Sequence, residues 1–158
     1  AFAKLSQKYP QWRVELWGAD WNKKYKKELE DLVAKYHLEN RVLFKGVTHN
    51  VLEKNLAADI FAWPSAYEGF GLAMAEAMSA GLPVVAFRSC QAAREIVGED
   101  CGILVSDGVN AFSKGLEELM ANREKRVQMG ASAKKSMRQY APNKIWDAWD
   151  RLIKKERE

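Results

Sequence analysis

The stretch PSAYEGFGLAMAEAMSAGLPVVAF, residues 64–87, carries two carboxylates eight positions apart, Glu68 and Glu76. It follows the strand-like run DIFAW at 59–63, and its small-residue segment 72–80 predicts a helix. Gly81 is a typical residue to end that helix, and PVVAF at 83–87 predicts another strand. A strand, a glycine-containing loop, a helix and a second strand in this order indicate a parallel α/β sheet.

The same alternation extends through the chain. Further strands are predicted over 13–17, 42–45 and 102–105, and short helices follow Asn50 and span 92–97. The start is predicted to be the tail of a helix that ends before Pro10, and the segment after 105 is predicted to be helical. One helix begins at Lys23, with an apolar face that we expect to be packed, formed by Tyr25, Leu29, Leu32, Val33 and Tyr36. The sequence therefore predicts a Rossmann-like, doubly wound parallel sheet.

Composition limits the classes of function. A chain of 158 residues, 47% hydrophobic and 29% charged, has the size and balance of one soluble globular domain. The two cysteines and two histidines lack metal-ligand spacing, so we expect no metal site and a reducing, cytoplasmic setting. Short lysine runs predict solvated helix faces, with contact to an anionic membrane surface as the alternative. No nucleic-acid-binding motif accompanies them, so we expect no nucleic-acid partner.

The position of Glu76 suggests a chemistry. It lies among Leu72, Ala73, Ala75, Ala77 and Met78, so we expect a buried carboxylate that needs donors, such as two ribose hydroxyls.

The loop before Glu76 contributes the remaining candidate site residues. Gly69 and Gly71 allow close approach to a helix N-terminus that suits phosphate, and Glu68 would reach toward a sugar beyond it. The alternatives are a Glu68 that faces water, a Glu76 that pairs with a lysine or arginine, and glycines that serve only the turn. The joint arrangement favours a nucleotide-sugar site.

These residues resemble the E-x7-E region of retaining glycosyltransferases of GT-B architecture, the group called family 4 or group 1. WRVELWGAD, RVLFKGV, AADIFAWPS and REIVGEDCGILVS are similar to the neighbouring segments of that family. The resemblance covers residues 1 to about 149 and identifies the chain with the carboxyl-terminal, donor-binding half of such an enzyme.

The resemblance implies roles for matching residues. Glu68 would hold the transferred sugar as the catalytic residue, and Glu76 would bind the ribose. Val47 would lie against the base, and the backbone at Gly69, Phe70, Gly71 and Leu72 would meet the sugar and diphosphate. The donor would be a nucleotide-diphosphate sugar, with no cofactor and no metal.

The chain departs from the family at two places. The family's first strand, with its glycine–arginine pair, and the lysine of the next helix have no counterpart, so the sheet should lack its central strand. The segment SCQAAREIV has Ala92 and Ala93 where many relatives have a glycine-rich turn, which weakens the case for phosphate contacts there. Glu95 is expected to be an exposed helix acid.

The predicted organisation is a nucleotide-sugar-binding domain over residues 1–142 and a carboxyl-terminal helix over 143–158. That helix would pack on the domain or cover an absent amino-terminal domain, through which an acceptor saccharide or lipid-linked saccharide would bind. The predicted function is sugar transfer with retention of configuration, as part of a longer chain and inactive alone. The predicted location of the protein is the cytoplasm, or a peripheral position on the inner face of the membrane. The alternatives are another GT-B enzyme, such as a nucleotide-sugar epimerase, and a non-catalytic nucleotide-binding or assembly module.

Overall fold

A computed structural model describes residues 1–20 and 22–155 of the chain. The strands are β1 (Val14–Trp17), β2 (Val42–Gly46), β3 (Phe61–Trp63), β4 (Val84–Phe87) and β5 (Gly102–Val105). The α-helices are α1 (Lys23–Lys35), α2 (Val51–Leu56), α3 (Leu72–Ala80), α4 (Gln91–Ile96), α5 (Val109–Ala121), α6 (Arg123–Ser136) and α7 (Pro142–Lys155). Two 3₁₀ helices span Phe2–Lys4 and Met137–Tyr140. Every predicted strand is present, but the start of the chain is a 3₁₀ helix rather than the end of an α-helix.

The strands form two parallel sheets. β1 pairs with β2, and β4 lies between β3 and β5, with Val84 opposite both Phe61 and Gly102. Within the described residues no strand pairs with the free edges of β1 and β3. The predicted α/β class with parallel strands is confirmed, and the separation falls where the resemblance placed the missing central strand.

Helices cover both faces of the three-stranded sheet, as a doubly wound fold requires. Because side chains alternate along a strand, Val84 and Ala86 of β4 enter one core cluster and Val85 enters another. The first cluster includes residues of α3, α4 and α6, and the second includes Leu5 and residues of α5. The two core clusters therefore support the loops at the carboxyl ends of these strands.

Arg41 links the two-stranded sheet to the amino-terminal segment. Its guanidinium donates to the backbone carbonyl oxygens of Trp12, Tyr9 and Ser6 at 2.6, 2.8 and 3.3 Å. Arg126 of α6 then stacks over the Trp12 ring, 4.9 Å from its centroid. These contacts join elements that share no backbone pairing.

Two apolar helix faces remain exposed. The apolar face of α1, which we expected to be packed, is largely exposed: Tyr25, Leu32 and Tyr36 are each about half exposed. That expectation was wrong because a sheet of two strands offers too little surface to cover a 13-residue helix. The apolar side of α7, which carries Trp146 and Trp149, is likewise exposed rather than packed on the domain.

In the described part of the chain, no helix combines the length and the apolar character that crossing a bilayer requires.

Candidate functional site

The candidate site is the loop 64–71, which joins β3 to α3. Pro64 follows Trp63 directly and ends the strand, because proline has no N–H to continue a ladder. Gly71 is the N-cap of α3 with φ 79° and ψ 54°, a left-handed conformation that favours glycine. It places no side-chain cap on the helix, so the first-turn N–H groups of α3 are available to an anionic ligand.

Glu68 is held within this loop by Ser65. The Ser65 hydroxyl donates to Glu68 Oε1 at 2.7 Å, and the carboxylate is half-buried. The alternative that Glu68 simply faces water is therefore not what the structure shows. One carboxylate oxygen is engaged by Ser65, and the other can accept a hydrogen bond from a ligand hydroxyl.

Phe70 and Gly71 anchor the far end of the loop. The Phe70 ring meets the ring of Tyr140 edge to face, with centroids 5.2 Å apart. A Cβ added at Gly71 would lie 3.1 Å from Met74 Cε and 4.0 Å from Ala92 Cβ. Gly71 is therefore required both by its backbone conformation and by close packing.

Glu76 is exposed, which corrects the expectation that it would be buried. The buried residues of α3 are Met74, Ala77 and Met78, and a period of 3.6 residues places Glu76 on the opposite side of the helix. None of the ion pairs among the described residues involves Glu76, so the alternative of a lysine or arginine partner is not observed either. Its carboxylate is free to accept hydrogen bonds from a ligand.

Val47 lies on the other sheet. It follows Gly46, the last residue of β2, and is well exposed. The structure thus joins Glu68, the Gly69–Leu72 backbone and Glu76 in one loop-and-helix unit, and leaves Val47 outside it.

The loop forms an open surface rather than a closed pocket. Tyr67 and Leu72 are 82% and 71% exposed, and Gly69 is also exposed. Two cavities in the described residues lie elsewhere, one beside Lys135, Arg138 and Lys144 and one along α7. The unit therefore presents an open surface with Glu68, the loop backbone and Glu76 along it.

The start of α4 lies next to the loop, as the Gly71–Ala92 approach shows. Ala92 and Ala93 are buried, so these positions fill space where a glycine-rich turn would leave backbone free. Glu95 is an exposed helix acid, as expected, and accepts a hydrogen bond from Gln91 at 2.8 Å.

Arg94 is a residue of this region that sequence reasoning missed. Its guanidinium donates to the carbonyl oxygens of Arg88 and Ser89 at 2.8 and 3.1 Å, which braces the loop between β4 and α4. The exposed side chain also places a positive charge beside the loop between β4 and α4. In the sequence, the only sign that Arg94 belongs to this region was its position directly before Glu95.

Among the described residues no group of three or more histidine, cysteine or acidic side chains is assembled that could hold a metal ion.

Comparisons with known proteins agree with this geometry. Residues 1–136 match the family Glycosyl transferases group 1. An uncharacterized glycosyltransferase of Haemophilus influenzae is 28% identical over 151 residues, which cover 94% of this chain and 42% of that protein. The chain spans 42%, 36% and 32% of the length of three curated relatives that it matches.

Solved structures share the fold. The C-terminal domain of the glycosyl transferase group 1 family protein LpcC from Francisella tularensis superposes with a TM-score of 0.78 at 26% identity, covering 91% of this chain and 76% of that one. HepE of Anabaena in complex with UDP gives a TM-score of 0.74 at 30% identity, covering 85% of this chain and 38% of that one. The fold matches the carboxyl-terminal, Rossmann-like domain of GT-B glycosyltransferases, and the match over residues 1–136 makes this chain a member of the glycosyl transferases group 1 family.

Proposed function

We propose that this chain is the donor-binding half of a glycosyltransferase that moves a sugar from a nucleotide-diphosphate sugar to an acceptor, with retention of configuration. The observation that carries the proposal is the loop-and-helix unit: a half-buried Glu68 fixed by Ser65, followed by the uncapped N-terminus of α3. Family membership and the UDP complex of HepE support the same donor class.

Each part of the unit has a role in the proposal. The backbone N–H groups at Gly69, Phe70, Gly71 and Leu72 bind the diphosphate and the sugar, because a helix N-terminus attracts negative charge. Glu68 accepts hydrogen bonds from hydroxyl groups of the transferred sugar.

The outer residues would bind the nucleoside. Glu76 accepts hydrogen bonds from both ribose hydroxyls, since its carboxylate is exposed and takes part in none of the ion pairs among the described residues. Val47, exposed after β2, lies against the base.

These contacts would favour the departure of the diphosphate. When the bond between the sugar and the diphosphate oxygen breaks, the electron pair stays on that oxygen and negative charge develops there. Preorganised N–H donors stabilise such charge without reorganising. The oxygen of the acceptor hydroxyl then bonds to the anomeric carbon on the same face of the sugar, as retention requires, and its proton passes to the departing diphosphate oxygen, without a metal or another cofactor.

The chain acts in this proposal as part of a longer protein and is inactive alone. The two-part division at residue 142 assigns α7 to contact with an amino-terminal domain, which would bring the acceptor saccharide or lipid-linked saccharide. The exposed apolar side of α7 and the free edges of β1 and β3 are the surfaces available for such completion.

The location we propose is cytoplasmic, with the inner face of the membrane as a peripheral contact. Two of the lysines in these runs are paired within the chain, since Lys26 and Lys27 contact Asp20 and Asp31. Any contact with an anionic membrane would therefore depend on the remaining cations and weaken as salt is raised.

Thermal stabilisation of the protein by UDP, GDP and ADP tests the donor site. A nucleotide at 100 times its dissociation constant adds about 2.7 kcal/mol to stability, or about 5–11 °C for a chain of this size. We expect UDP to stabilise and Glu76→Ala to abolish the shift. Glu28→Ala, an exposed acid on α1, is the matched control and should leave the shift unchanged.

Stabilisation by GDP or ADP in place of UDP would keep the proposed class and change the base. If none of the three nucleotides stabilises the protein, the proposal is wrong for this chain, and a non-catalytic module becomes the better description.

A further inference from the structure

The ring contact between Phe70 and Tyr140 joins two segments that lie 70 positions apart in sequence. The centroids are 5.2 Å apart and the ring planes cross at 79°. Phe70 is 40% exposed, so the contact lies at the surface of the domain rather than in its core. Edge-to-face aromatic pairs are favourable beyond the area that they bury.

This contact can restrict the motion of the loop 64–71. Phe70 lies between Gly69 and Gly71. Gly71 is buried and packs close to Met74, but nothing lies within 4 Å of a Cβ built at Gly69, so Gly69 is not confined by its neighbours. The orientation of the N–H groups of Gly69 and Phe70 therefore depends on where the Phe70 ring is held.

Tyr140 packs on the core of the domain and so gives the Phe70 ring a fixed contact. It ends the 3₁₀ helix Met137–Tyr140 and packs against the core cluster that contains Met74 and Met137. Two residues later, Pro142 begins α7, whose body is exposed. Tyr140, which contacts the loop through Phe70, therefore lies just before the carboxyl-terminal helix.

We infer that Tyr140 is a positioning residue for the Gly69–Phe70–Gly71 turn and that its contact with Phe70 is coupled to donor binding at this turn. The inference rests on the proposed function for its second half, because the turn is taken to bind the diphosphate.

Backbone dynamics of the nucleotide-free protein test the positioning without assuming any ligand. We expect ¹⁵N order parameters near 0.85 for Gly69 and Phe70, falling below about 0.6 in Tyr140→Leu. Tyr140→Phe keeps the ring and should keep the wild-type values. Tyr36→Leu, at the exposed C-cap tyrosine that follows α1, is the matched control, and order parameters of α3 residues 76–80 report whether the fold is intact.

Nucleotide affinity tests the coupling. Tyr140→Leu should weaken UDP binding by about two- to tenfold, the factor that one aromatic pair supplies, while Tyr140→Phe binds like wild type. Phe70→Leu should weaken binding equally, and the double variant no further, since both remove one contact.

The outcomes separate the inference from the proposed function. An unchanged turn in Tyr140→Leu, with α3 intact, overturns the inference whatever UDP does. A mobile turn in a protein whose wild type binds none of UDP, GDP and ADP supports positioning and contradicts the proposed function. A mobile turn with undiminished UDP affinity overturns the coupling.

Discussion

Ser65 Oγ donates a hydrogen bond to Glu68 Oε1 over 2.7 Å, three residues along the same loop. The bond fixes the carboxylate that the proposed function assigns to the transferred sugar. It also leaves the second carboxylate oxygen unengaged by Ser65. A short polar contact inside the loop thereby restricts the position of the Glu68 side chain.

Removing that bond should affect sugar recognition more than nucleotide recognition. In Ser65→Ala we expect affinity for the UDP-sugar to fall by about tenfold, because a hydrogen bond to a charged group contributes about 1.5 kcal/mol or more. Affinity for UDP, which lacks the sugar, should stay within about twofold. Calorimetric titration of both ligands makes the comparison.

Ser79→Ala provides the control for this pair, since Ser79 is exposed on α3 outside the loop. Equal losses for UDP and UDP-sugar in Ser65→Ala would contradict the assignment of Glu68 to the sugar.

Gly130 is where α6 passes over the end of α3. A Cβ at this position would lie 2.1 Å from the carbonyl oxygen of Gly81, a backbone atom that cannot rotate away. We therefore expect Gly130→Ala to lower the free energy of unfolding by about 1–3 kcal/mol, although alanine favours a helix more than glycine does. Urea denaturation measures the change.

Gly69→Ala is the matched substitution, because nothing lies within 4 Å of its Cβ position. Its unfolding free energy should stay within about 0.5 kcal/mol of wild type. Equal stability of the two variants would show that α6 does not approach Gly81 as closely as the structure has it.

Arg41 should be essential for attaching the two-stranded sheet. In Arg41→Met, three backbone carbonyl oxygens lose a charged donor, and we expect a loss of about 2–3 kcal/mol in the free energy of unfolding. Arg41→Lys should restore only part of it, because one ammonium cannot reproduce the planar fork of donors.

Arg13→Met is the control, since the Arg13 side chain is 68% exposed and its partner Glu15 is a near neighbour. Full recovery by Arg41→Lys would mean that charge rather than the fork of donors holds the segment.

The Lys8–Glu117 pair should make stability depend on pH. The hydrogen bond from Lys8 holds the pKa of Glu117 below its ordinary range, and the same bond raises the pKa of Lys8. The contribution of Glu117 is fully present above the unfolded carboxyl pKa of about 4.3 and is lost as pH falls through the lower folded value. That of Lys8 is lost as pH rises through its raised pKa.

Glu117→Gln should therefore lower the melting temperature slightly at neutral pH and not at about pH 2, with Glu28→Gln as the control. Circular dichroism melts across this pH range measure the difference. A deficit that persists undiminished at about pH 2 would exclude the ion pair as its cause.

Local patterns predicted the strands and most of the helices correctly, but not the 3₁₀ helix at the start of the chain. Asn50 caps α2 by accepting the N–H of Glu53 at 3.1 Å, and Gly81 ends α3 in a left-handed conformation with φ 93°. Strands alternating with helices determined the parallel α/β class, because turn residues and side-chain period act over a few neighbouring positions.

The candidate site was predictable only as a segment. The loop 64–71 and the helix after it follow from the sequence, whereas the side of α3 on which Glu76 lies was predicted wrongly. The apolar neighbours of Glu76 suggested burial, but α3 buries Met74, Ala77 and Met78 and leaves Glu76 outside. Neighbours in sequence do not share a helix face.

The sequence by itself determined the order of strands and helices, and the glycine loop with Glu68 that leads into a helix carrying Glu76. Only the tertiary structure decided that Glu76 is exposed, that Arg41 holds the amino-terminal segment, and that Tyr140 supports Phe70. The first group depends on interactions between near neighbours in the chain. The second depends on packing between residues far apart in it, whose partners no local pattern specifies.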